Sequence, residues 1–107
     1  MYKNIDKNKI LELKDEINYQ NGQIVSKTLV QNDIISMTIF SFDKNEEIAT
    51  HTTSGDAMVM LLDGEGTFTI GEEIHKVKQG ETLIMPKDIP HSVFASSRFK
   101  MLLIISY

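Results

Sequence analysis

The chain has 107 residues, no cysteine and a formal net charge of −4. That length gives one domain, long enough to close a single core without staples; the absence of cysteine excludes disulfides and thiolate metal sites, and scattered lysines on an acidic background offer no footprint for nucleic acid. The opening MYKNIDKNKI is polar, and no later segment approaches the roughly 20 apolar residues of a membrane span, so the expectation is a cytoplasmic protein with neither nucleic-acid nor membrane partners.

Taken in chain order, Ile10, Leu13 and Ile17 recur at helical spacing among Leu, Glu and Lys, which predicts a short helix within Ile5–Ile17. Asn21-Gly22 signals a turn. Beyond it, Ile24–Gln31 and Ile34–Phe42 are β-branched and aromatic runs separated by Asn32-Asp33, a predicted hairpin. Asp43, Lys44, Glu46 and Glu47 read as a charged, solvated loop. Next comes HTTSGDAMVMLLDGEG, in which His51 and a loop with Ser54, Gly55 and Asp56 feed an apolar run closed by Gly64 and Gly66. From Ala57 onward strands recur, with turns expected at Asp63-Gly64, Gly71-Glu72, Gln79-Gly80 and Pro86–Pro90, the short regular spacing of a sandwich or barrel. Alternation along the first of these strands puts Ala57, Val59 and Leu61 on one face and Met58, Met60 and Leu62 on the other. Met101–Ile105 is also apolar on both faces. A third layer must cover these outer faces, either the N-terminal segment or a partner subunit, and a homodimer is the preferred cover.

The segment GETLIMPKDIPH, Gly80 to His91, ties a turn, a proline-rich bend and a histidine to one short strand. Gly80 turns the chain, Thr82–Met85 is β-prone and ends at Pro86. Pro90 keeps Ile89 extended, so that His91 opens a strand continued by Ser92, Val93 and Phe94. His51 is read in the same way, as opening a strand. If the two strands are neighbours, both imidazoles reach one cavity mouth, as a metal or acid/base site requires.

These residues resemble the two motifs of the cupin superfamily, G-x5-H-x-H-x3-E-x6-G and G-x5-P-x-G-x2-H-x3-N. Gly80, Pro86 and His91 fall on the second motif, with Asp88 at its second Gly and Ala95 at its Asn. In the first, His51 and Gly64 keep register, Asp43 lies near the opening Gly with a longer spacing, Thr53 replaces the second His and Ala57 the Glu. The resemblance implies an all-β fold, a double-stranded β-helix or jelly-roll barrel over residues 23–107, preceded by a helical or extended arm over 1–22. It also implies that two of four usual metal ligands remain.

His51 and His91 are the leading site residues, as metal ligands or as polar anchors for a small molecule; the competing reading makes them structural histidines satisfied by backbone. His75, in phase with Val77, is a candidate third ligand or else a partly buried strand residue. Thr53 is a poor ligand for any but a hard metal, and Asp56 lies one residue from the position of the missing Glu, where a turn role is the simpler reading. Thr53, Ala57 and Met85 are expected to line the ligand pocket. Methionine-rich packing suits an apolar ligand, or only a core. Three functions stay open: a stand-alone cupin binding a small molecule near His51 and His91, a metal-dependent enzyme of dioxygenase or isomerase type using those residues and His75, and a sensor or partner module. The first is preferred, with at most a weakly bound divalent transition metal, because one hydroxyl does not restore what a lost carboxylate and imidazole supplied.

Overall fold

A computed structural model describes residues 1–107. β1 (Ile24–Gln31) and β2 (Ile35–Phe42) form the expected hairpin, whose turn is held by the Asn32 side chain accepting the N–H groups of Ile34 and Ile35 at 2.9 Å. β3 (Glu47–His51), β4 (Asp56–Ile70), β5 (Glu73–Lys78), β6 (Thr82–Met85), β7 (His91–Phe94) and β8 (Phe99–Ser106) follow. All pairings are antiparallel. Hydrogen bonds run along β1-β2-β8-β4-β7-β3, with β5 and β6 also attached to β4, and the sheet curls into a jelly-roll barrel.

The turn expected at Asp63-Gly64 is instead a bend inside β4. The ladder to β8 shifts register between Leu61 and Asp63, a bulge that kinks and twists the strand. Gly64 follows with φ +71, and a Cβ there would collide with the carbonyl oxygen of Arg98. Before the bend β4 pairs with β6 and β8; after it, with β5 and β7. Side chains alternate as expected: Ala57, Val59 and Leu61 are buried with Phe42, Phe68, Phe99 and Met101 in the barrel core, where the Phe42 and Phe99 rings stack at 4.4 Å.

The predicted N-terminal helix is not formed. Only a single 3-10 turn, Leu13–Glu16, is present, and Asn4 and Asn8 take left-handed φ values of 61 and 59. A helix this short is marginal in water, and the sheet offers better contacts to single side chains of an irregular strap. Ile5, Leu13 and Ile17 pack on a second apolar cluster with Leu29, Ile39 and Leu102, whereas Ile10 points into solvent. The strap is pinned by Lys3 N–H to the Leu29 carbonyl and by the Asn4 amide to the Thr28 carbonyl. It reaches Leu62 and Ile104, while Met60 and Ile84 remain exposed at 38% and 53%.

A polar clasp closes the strap onto the barrel. Tyr19 donates its hydroxyl to Asp63 at 2.6 Å, under the cationic groups of Arg98 and Lys100; burial first, and then this bond, holds its phenol well above the ordinary range. Asp43, expected to be a solvated loop residue, is an organiser. Its carboxylate accepts the Gly22 N–H at 2.6 Å, the Lys44 N–H at 2.8 Å and the Arg98 guanidinium at 2.7 Å. The bond from Gly22 first, then that from Arg98, pulls its pKa down to about 2.

Because that pKa lies below the ordinary 3.8, the stability Asp43 contributes is complete above about pH 4 and fades as pH falls toward 2. Urea-unfolding midpoints of wild type and Asp43→Asn should therefore differ by a constant amount above pH 4 and converge between pH 4 and 2. The bend gives a second expectation, measured the same way at pH 7. Gly64→Ala should lose about 2–3 kcal/mol, and Gly80→Ala, at φ +86 but with nothing within 4 Å of a new Cβ, about 1 kcal/mol.

Candidate functional site

β3 and β7 are neighbours, and the register pairs His51 directly with His91. His91 opens its strand as expected. His51 instead closes β3, because the chain reaches the barrel mouth along β3 and leaves it along β7. The imidazole centroids are 4.3 Å apart with planes at 66°. His91 is buried at 2% exposure and His51 lies at the rim.

Local sequence explains the placement. Between Pro86 and Pro90 the chain turns through Asp88 at φ 61, a left-handed conformation that aspartate tolerates better than most residues. The Asp88 N–H donates to the Thr53 carbonyl at 2.9 Å, and the Asp56 carboxylate accepts the Lys87 N–H at 2.9 Å. The loop after β3 is thus laced to the loop before β7, and Asp56 is a loop tie rather than a ligand. Each ring is then fixed by its own backbone: Nδ1 of His51 meets the Ala49 carbonyl at 2.9 Å, and Nδ1 of His91 the Ile89 carbonyl at 3.0 Å. With a carbonyl as partner, Nδ1 must be the protonated nitrogen of the neutral ring, which leaves Nε2 with its lone pair. No protein group bonds either Nε2, and no buried side-chain nitrogen or oxygen lacks a partner, so the His91 Nε2 opens onto the cavity beside it.

That cavity is lined by Ile48, His51, Thr53, Ala57, Met85, His91, Val93, Met101, Leu103 and Ile105. Its volume is about 70 Å3, roughly the space of two waters at about 30 Å3 each. Thr53, Ala57 and Met85 stand in its wall with the two histidines. Met101, one of the methionines whose thioethers suit an apolar pocket, stands in the wall too; Ile48, Val93, Leu103 and Ile105 carry no such signal, because the inward face of their strands is set by strand pairing.

His75 is not part of this site. It sits on β5 opposite Phe68, across β4 from β7, and its Nε2 lies 3.4 Å from the Glu73 carboxylate. The fully buried Phe68 side chain occupies the intervening position in that row, so a three-histidine centre does not form. No group of three histidine, cysteine, aspartate or glutamate side chains stands together anywhere in the chain. No helix is long and apolar enough to cross a membrane.

A curled antiparallel barrel with a histidine pair at its mouth defines a small jelly-roll domain. Residues 38–105 match the Cupin domain family, and the chain belongs to it. It is similar to a conserved protein of unknown function from Streptococcus pyogenes, at 41% identity and a TM-score of 0.96 over 98% of this chain and 92% of that one. A cupin superfamily protein from Desulfitobacterium hafniense aligns at 27% identity and a TM-score of 0.94, covering 99% of this chain and 97% of that one. A cupin 2 conserved barrel domain protein from Leptotrichia buccalis aligns at 43% identity and a TM-score of 0.88, over 91% of this chain and 47% of that one. No functionally curated protein matches the chain.

Proposed function

We propose that this cupin binds a small, predominantly apolar molecule in the cavity at His51 and His91. The composition of the cavity wall carries the reading: 7 of its 10 residues are hydrophobic, and the other three are His51, Thr53 and His91. A pocket that is apolar in body with a few convergent polar groups is the usual form of a small-molecule site.

A resident divalent ion fits these residues poorly. Two imidazoles and the Thr53 hydroxyl supply no negative charge, and the Thr53 hydroxyl is already donated to the Gly55 carbonyl at 2.8 Å. Protein sites for such ions use three or four ligands, and no third imidazole or carboxylate joins the pair.

Ligand-observed NMR with uncharged fragments of about four heavy atoms, the size of isopropanol, tests the proposal. Wild type should bind them, and Ala57→Leu, which fills the cavity at a tolerable packing cost of about 1–3 kcal/mol, should weaken binding at least tenfold while the protein still melts cooperatively. Equilibrium dialysis against zinc, nickel or manganese should leave well under one equivalent bound. One equivalent that disappears in His51→Ala would replace the proposal with a metal-centre reading.

The uncovered outer face supports a homodimer as a companion proposal. Met58 pairs with Ile84 and Ile104, and next to them Met60 and Ile84 are the exposed part of an otherwise strapped surface. Burying such a strip between two copies removes apolar area from water without any new polar requirement. Sedimentation should find a dimer for wild type and a monomer for the double substitution Met60→Lys, Ile84→Lys; a monomeric wild type overturns the proposal.

A further inference from the structure

Resting on the small-molecule reading, the geometry points to a narrower ligand class: we infer that the cavity selects an uncharged molecule with an apolar body and a hydroxyl or N–H donor at one end, and rejects carboxylates. The carrying observation is the pair of backbone bonds that fixes both imidazoles in one tautomer. With Nδ1–H of His51 given to the Ala49 carbonyl and Nδ1–H of His91 to the Ile89 carbonyl, both Nε2 atoms are hydrogen-bond acceptors. The third polar group in the wall behaves alike, since the Thr53 hydroxyl spends its proton on the Gly55 carbonyl and turns only lone pairs toward anything else. The remaining seven wall residues are hydrocarbon or thioether.

With the rings uncharged, each of the three polar side chains in the wall therefore offers an acceptor and no donor. A carboxylate placed there faces lone pairs, with no lysine or arginine among the lining residues to neutralise it. A hydroxyl or azole N–H finds partners, and its apolar remainder lies against Ile48, Val93 and Ile105. The 4.3 Å ring separation lets one donor bridge the pair or choose between them.

Two measurements on the full-length protein at pH 8, where free imidazoles are uncharged, decide the matter. Long-range proton–nitrogen correlation spectra should show Nε2 as the unprotonated nitrogen of both His51 and His91. Titration with three probes of about four heavy atoms, isopropanol, acetone and acetate, which suit a cavity of about 70 Å3, should give isopropanol about tenfold tighter than acetone, and acetate at least tenfold weaker than isopropanol. The preference for isopropanol should weaken in His51→Leu, a rim substitution, and in His91→Leu, and shrink to within about twofold when both are changed. Protonated Nε2 atoms, acetate binding as tightly as isopropanol, or an undiminished isopropanol preference in both single variants overturns the inference while leaving a ligand-binding cavity intact. Failure of all three probes to bind removes the inference and the small-molecule reading together.

Discussion

β4 cannot belong to a single flat sheet. Over Asp56–Ile70 its backbone must serve β6 and β8 at one end and β5 and β7 at the other, and those two sets of neighbours lie on different walls of the barrel. The bulge after Leu61 and the left-handed glycine at 64 satisfy both demands, because an extra residue turns the strand and the missing Cβ lets the backbone of Arg98 come close. The rest follows from that bend. It stacks Phe42 on Phe99, seats Phe68 between the walls, and carries Ile70 alongside His91 at the mouth.

The mouth itself depends on a shorter-range device. Proline at 86 and 90 and aspartate in a left-handed turn between them shape a loop that bonds to the loop after β3, so the two histidines meet as cross-strand partners. Their orientation is then a backbone property, each ring leaning on the carbonyl two residues before it. A site made in this way is polar only where the main chain has already consumed its donors. That restriction, more than the count of histidines, gives the cavity its chemical character.

Much of this was legible in the residues. Alternation assigned the inward set Ala57, Val59 and Leu61, and the Gly80-to-His91 segment marked both the turn and the start of β7. Its Pro and His spacing also carried the family resemblance. Two kinds of feature were not legible. Asp63-Gly64 has the composition of a turn, yet strands on both sides of β4 hold the backbone extended through it, a tertiary override of a local signal. Ile10, Leu13 and Ile17 have helical spacing, yet the outer sheet face takes Leu13 and Ile17 from an irregular strap and leaves Ile10 wet. His75 shows why phase alone does not place a ligand: its strand lies one strand too far round the barrel, beyond Phe68. Asp43 looked like one charge among several in a loop, and only the approach of Gly22 and Arg98 from distant sequence makes it a junction.

The lacing between the Asp88 N–H and the Thr53 carbonyl, together with that between the Lys87 N–H and the Asp56 carboxylate, also stiffens the rim. Both bonds cross it, so the aperture cannot widen as a hinged flap without breaking them. The motion left to the rim is that of its exposed side chains, on the picosecond-to-nanosecond scale typical of such rotamers. The mouth is a fixed doorway rather than the edge of a moving cover.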